Sequence, residues 1–181
     1  MPEVLRRLLA SPQGRAGVAL VGAVALAVLL GPLLAPYDPE TFHITARFRG
    51  PGPGFWLGTD QFGRDLLSRI LHGAPSTVTL ALLATLLGTG LGAVLGTASA
   101  FLGGLVDEAV MRTVDALMAI PSLLFALLIV STLGPSGGNA LIAIGIAFAP
   151  GMARIARSAA LTVRRQDYVA AAIARGEGPL W

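Results

Sequence analysis

The sequence predicts an all-α integral membrane fold, and three observations carry that prediction. Of 181 residues, 54% are hydrophobic and 13% charged, whereas soluble domains carry about 25% charged residues. The charges are also excluded from long blocks: residues 16–35, 76–106 and 116–153 contain no Asp, Glu, Lys or Arg. Finally, all 13 basic residues are arginines lying between or beside those blocks, as flanks of membrane spans do. This composition excludes disorder and argues against a water-soluble monomer. Cysteine is absent, which removes disulfide, zinc–thiolate and thiol-nucleophile chemistry. A nucleic-acid binder would cluster its basic residues on one face, and here they are dispersed.

A hydrocarbon core about 30 Å thick takes roughly 20 helical residues. The first block, Ala16 to Ala35, has that length and ends at Pro36–Tyr37–Asp38–Pro39. A cleaved signal peptide is the rival reading, but its apolar region spans about 7–15 residues, so a retained helix is expected. The second block, 31 residues, suits one tilted or protruding helix over about 76–101. The third, 38 residues, is interrupted by Gly134–Pro135–Ser136–Gly137–Gly138–Asn139. These are turn formers around a proline that cannot continue a helix. Two helices follow, about 116–133 and 139–155, the last bent by Pro150–Gly151. Four transmembrane helices are therefore predicted.

Arginine counts orient them. With the N-terminus inside, Arg6, Arg7, Arg15, Arg112, Arg154, Arg157, Arg164, Arg165 and Arg175 are cytoplasmic, and Arg47, Arg49, Arg64 and Arg69 are external. Nine against four places both ends in the cytoplasm. The external segment, about 36–75, begins as a loop punctuated by Pro39, Pro51 and Pro53. Its second half reads as a short amphipathic helix at the outer surface. Thr59 or Asp60 would cap it, and Asp60–Arg64 and Asp65–Arg69 would pair one turn apart.

The second span carries small residues every fourth position: Ala84, Gly88, Gly92, Gly96, Ala100 and Gly104. Glycine costs about 1 kcal/mol per helical position against alanine, and in lipid the compensation is close approach of helices. This stripe is expected to be the packing seam. An absence is equally informative: no carboxylate, Arg, Lys or His lies near the middle of any span. Proton-coupled carriers and intramembrane enzymes generally need such groups, so either energy enters elsewhere or missing parts of the assembly carry it. His43 and His72 read as surface residues rather than metal ligands. No GxSxG, HExxH or GxxxxGK[ST] pattern occurs, and no catalytic residue or cofactor site is expected.

Beyond the last span, Arg164–Arg165–Gln166–Asp167 leads into Tyr168–Val169–Ala170–Ala171–Ala172–Ile173–Ala174–Arg175–Gly176. Alanine favours helix, Asp167 suits its start, and Gly176 its stop. A short cytoplasmic helix over about 165–176 follows. Its small apolar residues suit either a groove on another protein or the lipid headgroup layer.

Three stretches resemble one family. Leu57–Gly58–Thr59–Asp60–Gln61–Phe62–Gly63–Arg64–Asp65–Leu66–Leu67–Ser68–Arg69 is similar to the external segment of permease subunits of binding-protein-dependent ABC importers, in particular the dipeptide, oligopeptide and nickel systems. Gly103–Gly104–Leu105–Val106–Asp107–Glu108–Ala109–Val110–Met111–Arg112–Thr113–Val114–Asp115, with Pro121–Ser122, resembles their cytoplasmic turn. Residues 168–176 resemble their "EAA" loop. The resemblance implies the type I importer permease fold, with a coupling helix seated in a cytosolic ATP-binding subunit. The coupling residues it implies are Tyr168, Val169, Ala170, Ala171, Ala172 and Gly176. It also implies a second permease subunit and a periplasmic or lipid-anchored solute-binding protein that delivers peptide. The setting would be a bacterial or archaeal inner membrane, with ATP hydrolysed on other chains.

The chain departs from the family in two ways: Ala170 stands at the motif's glutamate, and the family continues for two more spans. The expected organisation is therefore 1–56 (tail, first span and external loop) and 57–181 (an incomplete transport domain). The rivals are a small membrane scaffold, an inactive truncated fragment, a membrane enzyme without its polar groups, and a channel without a polar lining.

Overall fold

The computed structural model describes Arg6 and residues 9–176. Arg7 and the Ile173 side chain, which figured in the reading above, lie outside the described residues, as do residues 177–181. The chain divides into two compact units, Met1–Thr79 and Leu80–Trp181, and the described regular structure is helical.

In the first unit, α1 spans Pro12–Leu34. The Ser11 hydroxyl accepts the Gly14 N–H at 3.0 Å and Pro12 opens the first turn, which satisfies an end group the helix cannot serve itself. Its 23 residues extend about 35 Å at 1.5 Å each, enough to cross a bilayer. Near its end, Gly31 lies against Leu71 of α2 (Leu66–Leu102), where a β-carbon would sit 3.1 Å from Leu71 Cδ2.

Residues 35–65 form a cap between these helices, and here the structure corrects the sequence reading. Residues 57–65 are turns, not the start of an amphipathic helix. Gly58 and Gly63 adopt φ of +81° and +79°, and β-carbons there would strike the Arg49 and His43 carbonyls. Asp60 competes with helix formation by taking local amides. Its Oδ1 accepts N–H from Phe62 (2.8 Å) and Arg64 (3.0 Å). Its Oδ2 accepts Arg64 Nε at 2.9 Å and Arg69 Nη1 at 2.7 Å.

The capping role falls instead to Asp65, whose Oδ2 accepts the Ser68 N–H at 2.8 Å and Ser68 Oγ at 2.7 Å. Asp65 is buried, so Arg69 pairs with Asp60 rather than with the expected Asp65. From Leu66 the helix runs unbroken past Pro75 to Leu102. The supposed surface helix and the second span are one element.

Partial burial of Asp60 pulls its pKa upward, but the Arg64 and Phe62 amides and the Arg64 guanidinium outweigh it. They hold the carboxyl at about 2, against 3.8 ordinarily. The ionised form is thus favoured by the fold. Its stabilisation is complete above the ordinary value and is lost as pH falls through the lowered one. With Trp181 replaced by Phe, emission from Trp56, four residues before Asp60, is expected to stay constant above about pH 5 and to change as pH falls towards 2. Adding Asp60→Asn should give the low-pH signal throughout. A profile flat down to pH 2 with Asp60 intact would refute this account.

In the second unit, α2 ends where Gly103 takes φ +65°. Helix α3 (Gly104–Met118) and α4 (Ser122–Leu133) follow, meeting at a bend of 89°. The expected single helix over 116–133 is therefore corrected. Pro121 lacks an N–H and biases Ile120 away from the helical region, so the chain turns between Met118 and Ser122. Helix α4 alone, at 12 residues, reaches about 18 Å, short of a full crossing.

The turn at Gly134–Pro135–Ser136 falls where the sequence places it. Ser136 Oγ accepts the Asn139 N–H at 3.1 Å, and Asn139 Nδ2 donates to the Leu133 and Gly134 carbonyls at 2.8 and 3.0 Å. Helix α5 then spans Gly137–Arg164 and includes Pro150. It extends nine residues beyond the expected end at 155. Helix α6 (Asp167–Ala174) follows after a short turn.

Three described helices, α1, α2 and α5, are long and apolar enough to cross a membrane, and the bent α3–α4 pair makes a fourth crossing if counted as one. Burial follows the same physics. The buried apolar residues are mainly alanines, including Ala84, Ala100, Ala143 and Ala153, while large side chains such as Leu29, Leu86 and Leu123 are exposed. Lipid rewards close helix contact more than hiding leucine.

Candidate functional site

The seam between α2 and α5 is built from backbone meeting backbone. A β-carbon on Gly88 would lie 2.8 Å from the Gly145 carbonyl oxygen, and one on Gly92 would lie 2.6 Å from that of Ala149. At Gly96 the Ala153 oxygen is nearer still. Steps of four on each helix keep glycine opposite a small residue, which is what lets two helices touch along a line. Ala100 is buried at the same end. Gly104 stands apart: it opens α3 with φ +55° and meets nothing within 4 Å.

Three arginines of α5 tie that helix to α2 and α3. Arg157 Nε donates to Asp107 Oδ1 at 2.6 Å, and its Nη2 donates to Oδ2, making a two-pronged pair. Ser99 Oγ donates to the same Oδ1 at 2.6 Å. Arg154 pairs with Asp115. Arg164 Nη1 donates to the Ala100 carbonyl at 2.8 Å, one of the last carbonyls of α2, where a cation is favoured by the helix dipole.

Residues 154, 157 and 164 recur at near-helical spacing, so one face of α5 carries all three. Sequence reasoning counted these arginines only as membrane flanks. The signal available was their spacing together with acids eight residues apart on α3, Asp107 and Asp115. The planar two-pronged contact requires arginine. Arg157→Ala should lower the thermal midpoint by several degrees in a detergent-solubilised melting assay. The exchange Asp107→Arg with Arg157→Asp should recover part of the loss. An unchanged midpoint in Arg157→Ala would show the pair to be idle.

Helix α5 leads through a short turn at Arg165–Gln166 into α6. The Gln166 N–H donates to the Val163 carbonyl at 3.0 Å, and the Gln166 carbonyl accepts from Val169 (3.0 Å) and Ala170 (3.2 Å). The elbow between the helices is therefore hydrogen-bonded. Val169 and Ala172 are half-buried, while Tyr168, Ala170 and Ala171 are exposed, and Gly176 adopts φ +77°. The six residues singled out in the sequence thus form one short helix and its terminating turn, with a small, largely apolar exposed face.

The α3–α4 bend leaves an apolar recess of about 270 Å³ lined by Leu117, Pro121, Phe125, Phe148 and Gly151. Among the described residues no three His, Asp or Glu side chains gather as a metal cradle. What the described residues bring together is a packed helix pair, ionic ties at its end, and a hydrogen-bonded elbow.

Two family models match parts of the chain. A family model described as binding-protein-dependent transport system inner membrane component matches residues 88–181. One described as the N-terminal TM domain of oligopeptide transport permease C matches residues 2–51. The chain is 38% identical over 162 residues to the probable D,D-dipeptide transport system permease protein DdpC of Escherichia coli, covering 90% of this chain and 54% of that protein. It is 40% identical over 181 residues to a putative peptide transport system permease protein of Brucella suis, covering 99% and 61%. It is 32% identical over 164 residues to the nickel transport system permease protein NikC of Escherichia coli, covering 91% and 59%. The chain therefore spans a little over half the length of these relatives.

Proposed function

The chain belongs to the family of binding-protein-dependent transport inner-membrane components, and on that premise we propose that it serves as a permease subunit of an ATP-driven importer. It forms part of the translocation path for peptides delivered by a solute-binding protein. A second permease subunit completes the path, and cytosolic ATP-binding subunits hydrolyse the nucleotide. In this reading the chain makes four crossings of an inner membrane, with the N-terminus and α6 cytoplasmic and the 35–65 cap outside. Residues 57–181 contribute the transport domain. Helix α6 is the coupling helix, with Tyr168, Val169, Ala170, Ala171, Ala172 and Gly176 as its contact residues.

The observation that carries this reading is the hydrogen-bonded passage from α5 into α6 within the segment that the family model matches. A short helix fixed to a long packed one converts a push on the elbow into movement of α5. The seam of Gly88, Gly92, Gly96 and Ala100 then carries that movement to α2, and the Arg157–Asp107 tie carries it to α3. No ionisable group is needed within the bilayer, because the work arrives through the elbow.

Peptide is favoured over nickel by the names of several of the most similar relatives. The test is reconstitution. The chain is co-expressed with its partner permease, ATP-binding subunits and solute-binding protein, and uptake of labelled dipeptide into vesicles is measured. ATP-dependent uptake that requires this chain is the expected result. Uptake that is the same without it would leave a scaffolding role.

A further inference from the structure

The end of α1 and the start of α2 fix the level at which the cap begins. Gly31 packs on Leu71, and the Tyr37 N–H donates to Ser68 Oγ at 3.0 Å. The cap therefore starts where two apolar helices stop, next to a membrane surface. A loop that stood clear in water would turn its apolar side chains inward. This one exposes them: Phe48 is 77% exposed, Trp56 75% and Ile44 67%.

Phe48 is also the one described non-glycine residue with positive φ, at +51°, a region that bulky side chains rarely enter. Bonds on both sides impose it. The Phe48 N–H donates to the Asp60 carbonyl at 3.1 Å, the Arg49 N–H to Thr59 Oγ1 at 3.0 Å, and the Thr59 hydroxyl to the Ala46 carbonyl. The fold thus accepts backbone strain while leaving the phenyl ring outside, the mark of a contact made elsewhere. Arg47 and Arg49 flank the ring and are exposed; the Arg49 guanidinium lies 5.8 Å from the Phe55 ring centre.

We propose that Arg47, Phe48, Arg49 and Trp56 form an anchor in the phospholipid headgroup layer. The guanidinium forks engage lipid phosphates, and the two aromatic rings lie at the boundary with the acyl chains. The charge complementarity is direct, since arginine matches phosphate geometry. Aromatic residues favour this depth, where one edge of a ring is wet and the other dry. The surface is also continuous with the lipid-facing ends of α1, where Leu33 and Leu34 are exposed. A docked solute-binding protein is the competing occupant.

The first arm of the test leaves the cap unchanged. The chain contains two tryptophans, so Trp181→Phe leaves Trp56 as the sole emitter. The full chain is placed in vesicles of three parts phosphatidylcholine to one part phosphatidylglycerol, with no other protein. Trp56 should be quenched several-fold more by headgroup-labelled spin lipid than by lipid labelled at the acyl terminus, and shielded from aqueous iodide. Adding Arg47→Gln and Phe48→Ser should shift quenching from lipid to iodide. Iodide access without lipid quenching would overturn the proposal, as would shielding that appears only on adding the solute-binding protein. Dominant quenching by the deep label would also overturn it. Neither ATP-binding subunits nor transport enter this assay, so its outcome is independent of the permease reading.

Discussion

Gly96→Leu is expected to separate α2 from α5 and to produce the largest loss of stability of any single substitution in the seam. Even a β-carbon at Gly96 would fall on the Ala153 carbonyl, and the Arg157 amide nitrogen lies 2.9 Å from the same point. The obstruction is backbone, so no rotamer change relieves it, and a leucine must push the helices apart. Overpacking a tight interior costs about 1–3 kcal/mol and sometimes more, and a rigid helix pair places this site at the upper end. Separation would also draw Arg157 away from Asp107, because both lie at the same end of the seam.

Gly90 is the internal control. Nothing lies within 4 Å of a β-carbon there, so Gly90→Ala should be neutral or stabilising by up to about 1 kcal/mol through helix propensity. Denaturation in rising sodium dodecyl sulfate, followed by circular dichroism, reads both. Equal midpoints for Gly96→Leu and Gly90→Ala would refute the seam as described.

The contrast between these glycines shows what a sequence can reveal in lipid. Exclusion of charge from three blocks is a statement about solvent, and solvent decides the fold class, so an all-helical membrane protein was legible without coordinates. Spacing by four at Gly88, Gly92 and Gly96 was legible too, because only close packing repays glycine in a helix. Helix ends were less so. Thr59 or Asp60 is the cap the sequence offers, and Asp65 takes the role because Gly58 and Gly63 turn the chain, their positive φ becoming necessary only once the Arg49 and His43 carbonyls occupy their places.

Pro121 and Pro150 make the same point. One breaks the chain between α3 and α4, while the other continues inside α5, buried among small residues. A proline's local cost is fixed, but tertiary packing decides whether the helix survives it. The ionic ties at the end of the seam were hidden for another reason. Arg154, Arg157 and Arg164 read as membrane flanks by position, and their second role exists only when α3 brings Asp107 and Asp115 opposite the first two and the end of α2 brings the Ala100 carbonyl to the third.

Deletion of residues 166–176 is expected to abolish capture of the ATP-binding subunits while leaving the rest of the chain in the membrane. The segment begins after Arg165, the residue that closes α5, so the Gly88–Gly96 seam and the Arg157–Asp107 pair are untouched. Helix α6 is eight residues long, too short to persist alone in water, and its hydrogen bonds at Gln166 make α5 its support. What it offers a partner is a small exposed face at Tyr168, Ala170 and Ala171, the kind that enters a groove on another protein.

A point variant separates loss of the helix from loss of its surface. Ala171→Asp keeps the helix but replaces a methyl group with a carboxylate on the face proposed to enter the groove, where an unpaired buried charge would be costly. Affinity-tagged chain should then retain about a tenth or less of the ATP-binding subunit, corresponding to at least about 1.4 kcal/mol of binding free energy. Membrane insertion should stay at wild-type level in both variants. Undiminished capture in the deletion would show that the elbow is not where the work enters. A headgroup-bound helix would instead leave capture intact in both variants and alter only lipid association, so the same two proteins decide between the two environments open to residues 168–176.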